Sequence, residues 1–131
     1  MKDKILIVDD EQTVRETMRE ALDNGTYEIF LAEGAEDALS IVEKEDLACV
    51  FLDLKLFGTN GIELCRTIRQ MRPLSILYAM TGWSGLFEIE ECREAGFDDY
   101  FPKPLTLDVI FKAVDEAIDK RKRWKSVRSA F

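Results

Sequence analysis

Short apolar runs that stop abruptly at a polar, chemistry-bearing residue recur along this chain and alternate with helix-period stripes. KILIVDDE stops at Asp9 and Asp10, ACVFLDL at Asp53 and ILYAMTG at Thr81, while DDYFPKP delivers Lys103. Runs this rich in β-branched and aliphatic side chains, without in–out alternation, read as strands covered on both faces of a parallel sheet. Tyr27 to Ala32 reads as a further strand, and the stretches Leu47 to Leu52, Ser75 to Met80 and Asp99 to Phe101 set the predicted bounds of the others. Between the strands, apolar residues recur at three- and four-residue spacing. They are Val14, Met18, Ala21 and Leu22, then Ala35, Ala38, Leu39 and Val42, then Ile62, Cys65, Ile68 and Met71, and last Leu107, Ile110, Val114, Ala117 and Ile118. Asn24-Gly25, Pro73 and Gly96 supply helix stops. Leu86 to Ala95 reads as an acidic, weakly apolar helix, expected to dock least firmly, and Lys55 to Asn60 reads as a loop.

Five strand–helix units joined by right-handed crossovers predict an α/β fold: a doubly wound (βα)5 flavodoxin-like sandwich around a five-stranded parallel sheet of order 2-1-3-4-5. Ligands of such sheets sit beyond the strands' carboxyl ends, at the switch point between strands 1 and 3. Asp9, Asp10 and Asp53 then share one cleft with Thr81 and Lys103. Three carboxylates in one place repel, and either protons or a cation must settle the conflict. An oxygen-only cluster favours a hard ion, Mg²⁺ above all.

Composition narrows the function classes. A chain of 131 residues with 47% apolar content suits one domain. No stretch approaches the roughly 20 apolar residues of a membrane span, and no signal-peptide pattern opens the chain, so a cytoplasmic protein is expected. Cys49, Cys65 and Cys92 are odd in number and set in apolar or helical patterns, which reads as reduced packing residues rather than a disulfide or zinc framework. The absence of histidine excludes His-dependent triads, His metal sites and a phosphohistidine carrier. The net charge of −8 is asymmetric. Residues 120–131 hold six basic side chains and no acid, leaving 12 basic against 26 acidic side chains, or −14, in residues 1–119. An acidic body argues against direct nucleic-acid binding. The basic end can meet an acidic partner, a membrane surface or its own domain; the favoured reading is a solvated helix end whose cations complement the macrodipole. The expected organisation is a domain over residues 1–123 and a basic tail or start of a linker over 124–131.

Taken in order, Asp9-Asp10-Glu11 after strand 1, Asp53 after strand 3, Thr81 after strand 4 and Lys103-Pro104 after strand 5 resemble the receiver domain of two-component response regulators. Tyr100, three residues before the lysine, belongs to the same pattern. Each element alone has a plain structural reading: an acidic pair caps a helix, a strand-end Thr bonds backbone, and Lys-Pro is common. The resemblance implies that Asp53 is the phosphoacceptor, taking its phosphoryl group from a phosphohistidine of a histidine kinase or phosphotransfer protein. It implies Mg²⁺ held by Asp10, Asp53 and the main-chain carbonyl of Lys55, with Asp9 acting largely through water, and Lys103 as a second cation. It also implies a switch in which Thr81 moves inward, the Tyr100 ring turns from exposed to buried, and the face of helix 4, strand 5 and helix 5 changes its preference for a downstream protein target. That face is also where a phosphorylation-dependent homodimer is expected.

Two departures stand out. Phe57 occupies the position four past the acceptor where the family often has Pro, and Trp83 is large for a site rim; it is expected either to shield the acyl phosphate from water or to dock the kinase. Three other function classes compete. A haloacid-dehalogenase-like phosphatase resembles a DxD motif that adjacent Asp9-Asp10 does not supply, and a flavin binder needs a phosphate-cradling loop where this chain is acidic. A receiver-shaped interaction module that is never phosphorylated is the remaining alternative, against which the intact set of Asp9, Asp10, Asp53, Thr81 and Lys103 argues.

Overall fold

All strands of the main sheet run the same way, and their burial shows why the apolar runs are continuous. The computed structural model describes residues 2–56, 59–82 and 86–130. Five strands, β1 (Asp3–Val8), β2 (Tyr27–Ala32), β3 (Cys49–Asp53), β4 (Ile76–Thr81) and β5 (Asp99–Pro102), pair in parallel in the order β2-β1-β3-β4-β5. This is the predicted topology. Alternate residues of each strand face opposite sides. Leu6, Val8, Val50, Leu52, Leu77 and Ala79 pack on one side against α2 (Ala35–Lys44), α3 (Gly61–Met71) and α4 (Leu86–Ala95). Ile5, Ile7, Phe51, Tyr78 and Met80 pack on the other against α1 (Gln12–Leu22) and α5 (Leu107–Ala130).

Strand bounds differ from expectation by a residue or two, for local reasons. The third strand begins at Cys49 rather than Leu47, although Ala48 already bonds Lys4 and Ile76 across the sheet. The fourth begins at Ile76 because Ser75 is still turning: its N–H donates to the Arg72 carbonyl and its hydroxyl to the Leu47 carbonyl. The expected loop over Lys55–Asn60 contains a small antiparallel ladder, Lys55 opposite Asn60 and Leu56 opposite Thr59, too short to leave a periodic signal. Asn60 then caps α3 by accepting from the Ile62 N–H at 2.8 Å. Gly25 and Gly96 take positive φ after α1 and α4, as helix stops require.

Helix ends depart from the predicted stripes. Met71 and Leu107 are exposed, and the buried stripe of α5 begins at Ile110 and finishes with Arg121. The fourth helix reaches the core through Cys92 and Ala95, while Ile89 faces solvent. At 24 residues α5 is roughly 36 Å long, so its last turns, residues 124–130 included, overhang the sheet as helix. Several basic residues there fold back onto the domain: Lys120 pairs with Asp98 at 3.1 Å, and Arg121 and Lys125 both pair with Asp46. All three cysteines are buried, and none is joined in a disulfide. Among the described residues no helix is long and apolar enough to cross a membrane.

Candidate functional site

Strand register builds the site. Val8 lies opposite Leu52, Asp53 opposite Met80, and Thr81 opposite Pro102. The residues that end the successive strands, Asp9, Asp53, Thr81 and Lys103, are therefore delivered side by side at the sheet's carboxyl edge.

Asp9 is wholly buried. Its N–H donates to the Ala32 carbonyl at 3.1 Å, its Oδ1 accepts from the Glu11 N–H at 2.9 Å, and its carbonyl accepts from Arg15 at 2.8 Å. The N-cap residue Glu11 makes no side-chain cap bond to α1, and Asp9 instead turns its carboxylate back onto the Glu11 N–H. Asp53 is only 4% exposed; its Oδ1 accepts from the Lys55 N–H at 3.2 Å. Lys103 Nζ lies 2.6 Å from Asp9 Oδ2 and 3.2 Å from Asp53 Oδ2, with Glu11 at 3.8 Å. Asp10 is exposed, yet carboxylate oxygens of Asp9, Asp10 and Asp53 all lie within 4.8 Å of one another. Thr81 is buried at the same edge, and its carbonyl accepts from the Lys103 N–H at 2.6 Å.

The electrostatics follow from that crowding. Burial, and then the neighbouring Asp9, push the Asp53 carboxyl above the usual carboxylate range, against the pull of the Lys55 N–H and Lys103. Burial alone would lower Lys103, but its hydrogen bond to Asp9 and the charge of Asp53 outweigh it and hold the ammonium above the ordinary lysine value. The three clustered carboxylates, with Glu11 at the rim, thus share one ammonium, an excess of negative charge at the sheet's carboxyl edge. The donors are all oxygen, and the uncompensated charge is of the size a divalent ion removes, so the residues present fit Mg²⁺.

Tyr100, on β5 opposite Ala79, is half-buried against the α3–α4 side of the core. Its hydroxyl is buried with no hydrogen-bond partner among the described residues. Phe57 and Trp83, singled out in the sequence, lie outside the described residues. Sequence reasoning missed Gly61. A Cβ there would collide with the Asp53 carbonyl oxygen and stand 2.7 Å from Leu54 Cα, so only glycine lets α3 start against the acceptor loop. Its signal was the Asn60-Gly61 pair preceding an apolar stripe. Arg15, which fixes the Asp9 carbonyl, left none.

The sequence from residue 5 to residue 115 matches the family model of the response regulator receiver domain. The chain belongs to that family. It is similar to sporulation initiation phosphotransferase F of Bacillus subtilis, 36% identical over 114 residues that cover 87% of this chain and 92% of that protein. It is also similar to a cyclic di-GMP phosphodiesterase of Thermotoga maritima, 31% identical over 117 residues, 89% of this chain but only 31% of the relative's length. Among solved structures, a CheY-like receiver domain protein from Methanospirillum hungatei superposes with a TM-score of 0.90 at 27% identity, covering 94% of this receiver and 98% of the other. Receivers are signalling modules of two-component phosphorelays that work with histidine kinases or phosphotransfer proteins and with downstream targets, and phosphoaspartate and Mg²⁺ are typical of them.

Proposed function

We propose that this receiver is a switch thrown by phosphorylation of Asp53, the phosphoryl group coming from a phosphohistidine of a sensor kinase or phosphotransfer protein. The observation that carries the reading is the convergence of Asp9, Asp10 and Asp53 within 4.8 Å, with the Lys103 ammonium against two of them. An Asp53 oxygen attacks phosphorus while the donor's P–N bond breaks, and the leaving imidazole keeps the electron pair and takes a proton. A chain without histidine needs that donor from a partner. The obstacle is repulsion between an anionic nucleophile and an anionic electrophile, so transfer depends on positive charge already in place. Asp10, Asp53 and the Lys55 carbonyl would hold Mg²⁺, with Asp9 acting largely through water, and the bound ion would supply most of that positive charge. Lys103 supplies the rest, turning from Asp53 to the incoming oxygens while keeping Asp9.

Output follows from the same edge. The Thr81 hydroxyl moves toward a phosphoryl oxygen, and Tyr100 settles inward, where its ring already has core contacts. The α4–β5–α5 face then changes its affinity for a downstream protein or for a second copy of the receiver. The shift is bounded by the difference in phosphate contacts between the two states. Residues 1–123 form the switching domain, with 124–131 as its basic extension, working in the cytoplasm without touching nucleic acid directly. Resemblance to a relative named as a phosphotransferase supports transfer through the carboxylate.

Incubation with Mg²⁺ and acetyl phosphate, followed by intact mass, tests the reading. A gain of one phosphoryl group in wild type, absent without Mg²⁺ and absent in Asp53→Asn, is the expected result. No gain in a folded, Mg²⁺-binding protein would overturn it in favour of an unphosphorylated interaction module.

A further inference from the structure

The end of the sheet remote from Asp53 carries the opposite charge. Asp46 precedes β3 and Ser75 precedes β4, so both lie at the strands' amino ends. There, under the overhanging turns of α5, is a cavity of about 300 Å³. Arg72, Arg121, Lys125 and Arg128 line it, faced by the one carboxylate of Asp46. Met71, Pro73 and Leu74 give it an apolar wall. A local surplus of cations is conspicuous in a chain of net charge −8.

Structural duty explains only part of this cluster. Arg72 is committed: its Nε donates to the Val42 carbonyl at 2.9 Å and an amino group to the Glu43 carbonyl at 3.2 Å, at the end of α2. Arg121 is not. It is 8% exposed, one amino nitrogen donates to Asp46, and its Nε is buried without a hydrogen-bond partner among the described residues. Buried guanidinium donors are ordinarily satisfied, and an orphan calls for an explanation. The Asp46 side chain is 59% exposed and is shared with Lys125 at 3.7 Å, while Arg128 pairs with no acid among the described residues. Burial pushes the Asp46 carboxyl up, but Arg121, Lys125 and Arg72 outweigh it and hold it below the usual range, as expected where cations are in excess.

The geometry points to an anion-binding site at this end of the receiver for a small phosphate-bearing ligand, with Arg121, Lys125 and Arg128 as its cations. Asp46 already supplies a single carboxylate, so the remaining surplus matches a multiply charged group; arginine's planar fork suits phosphate oxygens in pairs. The volume falls at the small end of ligand sites, and the Met71–Leu74 wall accommodates an organic portion. The site shares no residue with the Asp53 cluster, from which it is separated by the length of the sheet.

Calorimetric titration of the full chain with pyrophosphate and with AMP, in Mg²⁺-free low-salt buffer, tests this. Both probes are expected to bind saturably. Lys125→Gln/Arg128→Gln should weaken binding by about tenfold or more, as loss of charge-assisted hydrogen bonds predicts, and Asp46→Asn should tighten it. Lys122→Gln/Arg123→Gln, which removes the same charge from the same helix outside the cavity lining, should leave binding unchanged. Either order of the probes supports the site, tighter AMP marking an organic phosphate and tighter pyrophosphate an inorganic one. Absence of saturable binding, or equal weakening by the two double variants, would overturn it.

Discussion

Lys103→Met isolates the charge balance at the acidic edge. Met keeps a long unbranched chain and removes the ammonium that contacts both Asp9 and Asp53. At the separations of 2.6 and 3.2 Å, an effective dielectric of about 20 gives gross attractions of roughly 6 and 5 kcal/mol. Burying the ammonium offsets much of that, and removing one partner of such buried pairs costs about 3–5 kcal/mol net. Taking about 3 kcal/mol, and a urea m-value of about 1.5 kcal/mol/M for a domain of this size, the metal-free midpoint should fall by about 2 M. The pH dependence has a defined sign. Asp53 has a raised pKa, so on acidification it becomes neutral early, and the penalty for losing Lys103 should shrink as pH falls through that value. Lys103 is itself raised, so its contribution is fully present below the ordinary lysine pKa and is lost only as pH climbs through its higher folded value. Saturating Mg²⁺ should restore part of the lost stability by neutralising the same carboxylates. Urea unfolding of both proteins in chelator, at neutral and acid pH, is the assay. A neutral-pH cost below about 1 kcal/mol, the range of exposed pairs, or a cost unchanged on acidification, would refute the reasoning.

Gly61→Ala should cost about 1–3 kcal/mol, the usual penalty of overpacking, because its Cβ meets the Asp53 and Leu54 backbone, and acetyl-phosphate labelling of Asp53 should slow in parallel. Asp98 accepts from the Leu77 N–H at 2.8 Å and pairs with Arg69 at 2.7 Å and Lys120 at 3.1 Å; Asp98→Ala should lower stability by about 2–3 kcal/mol, read by thermal unfolding, with a loss under half that arguing against a stabilising role for these contacts. Burial pushes the Cys49 thiol well up and Cys65 up to about 12, so a thiol reagent at mildly alkaline pH should label neither before global unfolding, and fast native labelling would contradict the packing.

The fold was legible because its signal is redundant. A run such as Ile5–Val8 is buried on both faces whatever its exact ends, and the helical stripes repeat the message between strands. What escaped is non-periodic. The Lys55–Asn60 ladder is set by hydrogen bonds over a few residues, and Met71 and Leu107 fit a stripe yet fall where the helix has run past the core. The site residues were legible because each closes a strand, so topology alone brings them together. Arg15 and Gly61 were not: one acts on a backbone carbonyl, the other through the side chain it lacks, and neither function marks residue type at a distance. Arg121 was misjudged for a related reason, since within a basic run nothing distinguishes the cation that turns inward.

The charge map of the receiver follows from the direction of its chain. In a parallel α/β sandwich every helix runs opposite to the strands, so helix amino ends, with their positive partial charge, gather at the strands' carboxyl edge, and carboxyl ends gather at the other. Asp9, Asp10 and Asp53 lie where helix dipoles help to hold negative charge, and Arg72 donates to the last carbonyls of α2 where they help to hold positive charge. A dipole accounts for cations that touch helix carbonyls. It does not account for Arg121, whose amino group reaches Asp46 and whose Nε reaches nothing described, nor for a carboxylate shared between two cations. If helix ends alone governed this pole, Lys125 and Arg128 could be neutralised with only the few tenths of a kcal/mol typical of exposed macrodipole contacts at stake, and no anion would notice. A ligand-dependent rise in melting temperature that vanishes in Lys125→Gln/Arg128→Gln would show that the cations at this pole serve a bound anion as well as the helix ends.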